Sequence, residues 1–541
     1  MITISIPSSI REGPRTTNAL VKKRYFITYL AVMVLGAQPS IFWFWFTWQV
    51  FPDKNLLFYF FFPLFFFTGI LILIIGSTII AKIFLFITNL FHSPREGVFE
   101  RSKEDKDYCF WSLRAVIRKW PIWLARQISF PFIEMLVANI LGIKIKYSSS
   151  IHEAWVDCEF IQIGKNVKCG QGSLIMSNIL VQNKLILKKV IIDDSVIIGS
   201  HCAILPGTHI DSGVVLHSNT MTLVNQHLKQ DSLYKGSPAK IFGTTRGISN
   251  KRKIENEIFE KDQESEIEEE TFLRAHGAEL SVPFQFYIVS GVIIVGFSFI
   301  VPGMIFFPLL FGFIVPLIFN NPLNISLLLD WNFFLNLLLI PLGLIAIYLI
   351  HLFFIALFTR WFYRLAKERG PDQGIFDRNT EVSSTKLDYY HFGSFLTKYP
   401  IFAISRSPFP WLLNWELNFI KSNKIATGTI LEETFIHSHV NFGKDCYLGT
   451  TSHVTNHVVD GVYGEENLTF VGVEVGDNCV FSIHTGGLPG SEFGDNSTFL
   501  PGATTIKYDK VLGNGVYGGF PAKKLSKEEI LFLLGGEYDG E

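Results

Sequence analysis

Four stretches of the chain, 25–52, 55–81, 280–329 and 331–359, contain no Lys, Arg, Asp or Glu. A helix that crosses about 30 Å of hydrocarbon needs roughly 20 such residues, so each stretch is long enough to span a bilayer. Pro302, Pro308 and Pro316 interrupt the third stretch, which could hold one kinked helix or two short ones. The expectation is two spans in each half, four in all. Basic residues flank the pairs: Arg15, Lys22, Lys23 and Arg24 before the first span, Arg95, Arg101 and Lys103 after the second, and Arg360, Arg364, Lys367 and Arg369 after the last. The turns between spans are nearly uncharged. The positive-inside rule then predicts a multi-pass protein of the cell membrane with its termini and large polar segments in the cytosol. The first apolar block follows a polar tail and is too long for a signal peptide, so it is expected to stay attached.

A different period takes over from residue 192, "IDDSVI IGSHCA ILPGTH IDSGVV LHSNTM". Ile192, Ile198, Ile204, Ile210 and Leu216 recur every six residues, and Val196, Cys202, Thr208, Val214 and Thr220 follow four later. A helix needs apolar spacings of three and four, which this stretch lacks. Six-residue units of one short strand and a turn, three to a coil, predict a left-handed parallel β-helix, a three-sided prism with the large side chain inside. A second set, Val475, Phe481, Gly487, Phe493 and Phe499, keeps the same phase 283 residues later. Other anchors repeat as well: "GVFER" and "GIFDR", "KWP" and "KYP", "IGKN" and "FGKD", "GSPAK" and "GFPAK".

The fold class expected is therefore membrane α-helical plus all-β, with two tandem left-handed β-helices, each preceded by a transmembrane helix pair. The expected boundaries are an N-terminal tail at 1–24, spans at 25–92, a juxtamembrane segment at 93–145 and a first prism at 146–245. A charged linker at 246–279, spans at 280–368, a juxtamembrane segment at 369–425, a second prism at 426–528 and a tail at 529–541 complete the chain. Within the juxtamembrane segments, 108–145 and 389–425 mix aromatics with Lys and Arg, as helices lying among lipid headgroups do, cations toward phosphate.

Composition adds two exclusions. A net charge of −1 gives no reason to expect nucleic acid. Six cysteines show no paired spacing for disulfides or zinc; Cys169, Cys202, Cys446 and Cys479 fall on interior positions of the hexad frame.

The hexads closing in "YKGSPAK" resemble the hexapeptide-repeat acyltransferase superfamily. The order of hydrophobic pair, basic-aromatic segment, "ILGIKI" and prism resembles the C-terminal membrane region of poly-ε-lysine-type non-ribosomal peptide synthetases, over roughly residues 25–525. The chain departs from those regions in carrying two prisms rather than three, and no adenylation or carrier domain. The resemblance implies acyl or aminoacyl transfer from coenzyme A or a phosphopantetheine thioester to an amine or hydroxyl, with a histidine near a looped-out coil as general base. It implies no permanently bound cofactor. Its partners would be the bilayer, a carrier protein or adenylation enzyme, and other prisms, either within the chain or in a homo-oligomer. A non-catalytic membrane scaffold that docks such enzymes is the alternative.

The candidate base lies in "TSHVTNHVVDG", residues 451–461. His457, three after interior Val454, is expected to point outward beside an excess of about three residues that loops out within 461–467, an excess expected only in the second prism. His484 is the partner or alternative base. Asp460, Glu465 and Glu466 are candidates to orient the imidazole or bind a cationic acceptor. Asn178 and Leu174 stand in the first prism where His457 and His453 stand in the second, and His201 matches His484; His201, His453, Asn456 and Asn178 are secondary candidates. Neutral imidazole at cytosolic pH can take a proton from an attacking amine or hydroxyl. Histidines 437, 439, 453 and 457 could instead ligate a metal, but no cysteine or carboxylate joins them at ligand spacing, and no metal is expected.

Overall fold

A computed structural model describes residues 13–51, 54, 56–128, 130–245, 284–377, 381–459 and 467–536. The expected linker and the loop carrying Asp460, Glu465 and Glu466 lie outside the described residues.

Two apolar helix hairpins open the two halves. Helix α1 (Tyr25–Val50) packs on α2 (Leu56–Phe91). Small residues let them approach: a Cβ on Gly36 would stand 2.6 Å from Ser77 Oγ, and Ser40 Oγ donates to the Gly69 carbonyl at 2.9 Å. The second hairpin joins α5 (Phe284–Leu309), which continues in wider π turns through Leu310–Phe319, to α6 (Trp331–Arg369). The third apolar stretch is thus one helical run. Among the described residues, four helices are long and apolar enough to cross a membrane. At about 1.5 Å per residue, α2 and α6 overshoot a 30 Å hydrocarbon layer.

Between each hairpin and the β structure lie shorter helices, α3 (Lys106–Gln127) and α4 (Pro131–Leu141) in the first half, α7 (Glu381–Ser405) and α8 (Leu413–Ile420) in the second. The expectation that the cations of α3 face lipid phosphate is corrected. Arg114 is buried and its Nε donates to Glu159 Oε1 at 2.5 Å; Arg118 donates to the Leu141 carbonyl at 3.2 Å. Burying these charges is tolerable only because a carboxylate and a helix C-terminus receive them.

Each β region is a three-sided column of parallel ladders. In the first, one face carries Gly13–Arg15, Trp155–Asp157, Leu174–Ile175 and Ala203–Ile204; a second runs from Lys144–Ile145 to His227–Leu228; a third runs from Lys168–Cys169 to Ser232–Lys235. The second column has the same plan, with faces beginning at Phe435–Ile436, Lys424–Ile425 and Ile430–Leu431. Regular rungs are 18 residues apart, as in the pairing of Ile192 with Ile210 and of Phe481 with Phe499. Corner residues take left-handed backbone, which Asn, Asp and His adopt more readily than bulky residues: Asn166, Asn219, Asp445 and Asn478 do so, and so do His201 (φ 55°) and His484 (φ 53°).

The interior accounts for the hexad residues and the cysteines. Ile192, Ile198, Ile204, Ile210 and Leu216 fill the first column, and all four hexad cysteines are buried and free. In the second, Phe481, Phe493, Phe499 and Tyr517 stack along the axis at 4.9–5.4 Å between ring centroids. Gly487 makes room for them, since a Cβ there would meet Val454 Cγ1 at 3.2 Å and the Phe493 ring at 3.4 Å. Larger rings and a missing side chain trade volume at constant packing.

Both columns extrude a hairpin, which corrects the expectation of an excess in the second alone. Ile163 pairs with Ile192, 29 residues on, and Phe442 with Val475, 33 on, where 18 is regular. The surplus forms antiparallel strands Asn178–Val181 with Lys184–Leu187, and His457–Val459 with Asn467–Phe470. A third strand joins each: Gly97–Glu100 in the first case and Gly374–Asp377 in the second. That is why "GVFER" and "GIFDR" recur.

The first column's Trp155 face packs on the second column's Val480–Thr498–Val516 face, in a cluster that includes Leu174, Ala203, Ile483 and Leu500. The first hairpin overlies that face, its Leu180 and Leu185 against Tyr447 and Val480, and Gln182 N donates to Thr498 Oγ1 at 3.0 Å. The second hairpin instead packs Leu468 and Phe470 on Leu387 and Tyr390 of α7.

Candidate active site

His457 opens the second hairpin at the point where the chain leaves the column. It is half-buried rather than fully outward. Its ring stacks on His437 at 4.6 Å and meets Tyr390 edge-on at 5.6 Å. Its Nδ1 lies 3.1 Å from Asn456 Oδ1; the same amide donates from Nδ2 to Ser438 Oγ at 3.1 Å, and its Oδ1 accepts from Tyr390 OH at 3.4 Å. With the amide in this orientation, Nδ1 carries the proton and Nε2 presents its lone pair. Burial pushes the His457 pKa down to about 4, with His391 and Lys398 adding to the effect. Asn456, 1% exposed, is thus the residue that sets the tautomer.

His437 completes this arrangement. Its Nδ1 lies 2.7 Å from Thr455 Oγ1, and burial, then the charges of His457, Lys398 and His453, hold it well below the usual range. Sequence reasoning weighed His437 only as a metal ligand and missed Tyr390, which arrives from α7. The ladder register was a partial signal: Phe435 pairs with His453, so His437 falls level with Thr455, two residues before His457.

His453 and His484 lie further along the same column. His453 is buried, with Nε2 unpartnered among the described residues, and its ring lies where a Cβ on Gly486 would be 2.5 Å from Nε2. His484 Nδ1 bonds Thr451 Oγ1 at 2.9 Å and its Nε2 is likewise unpartnered. Burial lowers both to about 4, and His484 also feels His201 and His453. His201 and His484 are both left-handed corner residues, a position with its own structural reason for histidine. His484 has no contact with His457 among the described residues, so the structure does not assemble them as a pair. Among the described residues the metal-like grouping is elsewhere: His209, Asp211 and His227 bring ligand atoms within 4.8 Å on an exposed face of the first column.

The matching place in the first column has different chemistry. Trp155 pairs with Leu174 as Phe435 pairs with His453, which puts Asp157 where His437 stands and Asn178 where His457 stands. Asp157 accepts from Ser177 Oγ at 2.6 Å, from Cys158 N at 2.7 Å and from Asn178 Nδ2. Burial raises its pKa to about 6. A cavity of about 410 Å³ adjoins it, between the first column, the second column and helices α3, α6 and α7. Lys119, also on this cavity, is lowered to about 8 by burial.

No protein-family profile matches the chain. Over 95 residues it is 30% identical to the acetyltransferase candidate YvoF of Bacillus subtilis (strain 168), a segment that is 18% of this chain and 54% of that protein. The chain spans about half the length of this curated relative. Among solved structures it is similar to a hexapeptide-repeat acetyltransferase of Vibrio cholerae bound to acetyl coenzyme A, at 19% identity and a TM-score of 0.20 over 24% of this chain and 86% of that one. A maltose O-acetyltransferase of Clostridium difficile 630 aligns at 13% identity and a TM-score of 0.19, over 24% of this chain and 82% of that one.

Proposed function

We propose that the chain is a membrane-integral acyl- or aminoacyl-transferase that moves its group from a thioester of coenzyme A, or of a carrier protein's phosphopantetheine, to an amine or hydroxyl at the cytosolic face. The observation that carries this reading is His457. It stands at the root of an extruded hairpin, its Nδ1 is committed to Asn456, and burial keeps it neutral. In the reaction, Nε2 takes the proton of the attacking amine or hydroxyl as that atom bonds to the thioester carbonyl. The thiolate then leaves and receives the proton. The similarity to YvoF over part of the chain supports transfer of an acyl group. The place of the prisms after apolar helices, and the likeness in element order to poly-ε-lysine-type synthetases, favour an acceptor handled at the membrane and a donor delivered by a separate carrier protein.

The test is mass spectrometry of the purified protein with acetyl coenzyme A, or a loaded carrier protein, and a set of amines and alcohols. Transfer by the wild type and its loss in His457→Ala with the fold intact is the expected result. Undiminished transfer in His457→Ala would remove His457 from the chemistry. A stable complex with a carrier protein and no turnover would leave a docking scaffold instead.

A further inference from the structure

The outer face of the first column carries its own cluster of ligating side chains. The ladder register stacks Ile191, His209 and His227 on successive rungs, with Asp193 and Asp211 two residues after the first two. Ile192, Ile210 and Leu228 fill the prism, so their neighbours on either side point outward. The two imidazoles lie face to face, with 4.9 Å between centroids and 9° between planes. Asp211 Oδ1 is 2.8 Å from His227 Nε2 and 3.7 Å from His209 Nε2. Asp193 Oδ2 lies 3.4 Å from His209 Nε2. Lys229 stands level with Asp211 in the register, yet neither aspartate pairs with a lysine or arginine among the described residues.

Ligands about 2.0–2.2 Å from a tetrahedral zinc ion stand about 3.3–3.6 Å apart, and the three distances here bracket that edge. Imidazole nitrogens favour a zinc-class ion over calcium or magnesium, which take oxygen ligands. Two carboxylates beside two neutral imidazoles match a double positive charge. The second column shows the same place without such a cluster. Glu492 and Lys510 form an ion pair at 3.4 Å on the rungs that correspond to His209 and His227, and Gly476 and Gly494 stand where Asp193 and Asp211 stand. One ion pair is enough for the outer face of a rung, so the histidines and aspartates are more than the scaffold requires.

We propose that His209 Nε2, Asp211 Oδ1 and His227 Nε2 bind a divalent transition-metal ion of the zinc class, with Asp193 beside them balancing its charge. His227–Leu228 is the last rung of its face, and the ion clamps it to the rung beneath. His209 and His227 are one 18-residue rung apart, a spacing that matches no zinc motif in sequence and that only the coil brings together. The ion has no part in the transfer reaction, whose base stands on the other column.

The test uses the full chain without a histidine tag, in lipid nanodiscs, stripped with a chelator and titrated calorimetrically with zinc chloride. The expected result is one saturable zinc per chain, a melting temperature that rises with zinc, and no binding of magnesium chloride at the same concentrations. The double variant His209→Glu with His227→Lys copies Glu492 and Lys510 and keeps the outer face paired. Its zinc affinity should fall by about a hundredfold or more, since even outer-shell partners of a metal contribute about 10–100-fold. His457→Ala should bind zinc as the wild type does. No saturable zinc, equal binding of magnesium, or unchanged affinity in the folded double variant overturns the proposal. So does loss of zinc in His457→Ala, which would put the ion among the histidines of the second column. Should the double variant misfold, Asp211→Asn decides in its place, with an expected fall of about tenfold or more.

Discussion

The two columns share a scaffold and differ at the positions that matter for chemistry. At the root of the extruded hairpin the first has Asp157 and Asn178, and the second has His437 and His457. The first hairpin is buried against the neighbouring column, whereas the second lies against α7 and brings His457 beside Tyr390. A prism of 18-residue rungs tolerates such editing because a side chain at the hairpin root faces away from the interior stack. Fold and chemistry are therefore specified by different residues of the same hexads.

The largest effect should follow from making the second column resemble the first. His457→Asn removes the lone pair at Nε2 but keeps a polar group able to reach Asn456. A general base contributes about 10²–10⁴ in rate, so transfer measured by coenzyme A release should fall by a factor of that order with the melting temperature nearly unchanged. The reciprocal change, Asn178→His, should give no new activity, because Asn178 is buried at the root of a hairpin packed on the neighbouring column. Activity appearing in Asn178→His would mean that the columns differ less than their hairpins suggest.

The interiors give the next comparison. Phe481 sits among three other rings, whereas the matching Ile198 packs among aliphatic residues. Phe481→Ala should cost about 3–5 kcal/mol, and Ile198→Ala about 2–5 kcal/mol. Chemical denaturation reads both. Gly487→Ile, which copies Ile204 of the first column, should also destabilise, since it drives a side chain into Val454 and Phe493. If Gly487→Ile were neutral, the volume trade between ring and glycine would be wrong.

Much of this contrast was legible in the chain, and the parts that were not have physical reasons. The apolar blocks and the six-residue rhythm each reflect a local constraint, a long apolar helix or a repeating rung, so counting positions located four apolar helices and two columns. The phase also placed Asn178 opposite His457 and Leu174 opposite His453. The first hairpin was missed because the rung was measured from the wrong interior residue: Ile175 to Ile192 is close to 18 by chance, while the pairing partner of Ile192 is Ile163. Tyr390, Lys398 and Lys119 were missed as site residues because they come from helices far away in sequence, whose packing no period announces. The basic-aromatic pattern of α3 looked like a headgroup contact, and only the column beneath it reveals Glu159 as the partner of Arg114.

Acid should separate the columns as well. In the second, His453, His457 and His484 are held at about 4 by burial, below the 6.5 of an unfolded histidine. The unfolded chain then binds more protons, so the stability these groups contribute is complete above pH 6.5 and is lost as pH falls toward 4. Asp157 in the first column behaves oppositely. Its folded value of about 6 exceeds the unfolded 3.8, so its contribution is complete below 3.8 and is lost as pH rises through 6. His453→Leu, which copies Leu174, should flatten the acid limb of a melting-temperature profile. It should also stabilise by about 1–2 kcal/mol at pH 5, since it deletes a buried ring nitrogen with no partner. A steeper acid limb in His453→Leu would contradict the assignment.

The smallest effect concerns Lys398, whose charge helps to hold His457 low after burial has done most of the work. Replacing it with Met removes one positive charge and leaves the desolvation. The imidazole should then titrate at a slightly higher pH, by a fraction of a unit, because screened charges near a protein surface interact with about 1–4 kcal/mol only at contact and less beyond. The rate-against-pH curve of the wild type should stay level from pH 8 to about 5 and fall with its midpoint near 4. In Lys398→Met the plateau should be the same height and the midpoint displaced upward. High salt should shrink the difference between the two curves, since it screens the lysine and not the burial. The first column has Ser177 and Asp157 about its Asn178 and no titrating imidazole there, so no change in that column should move this midpoint. A midpoint near 6.5 in the wild type would place His457 in water during turnover and assign the low value to some other group.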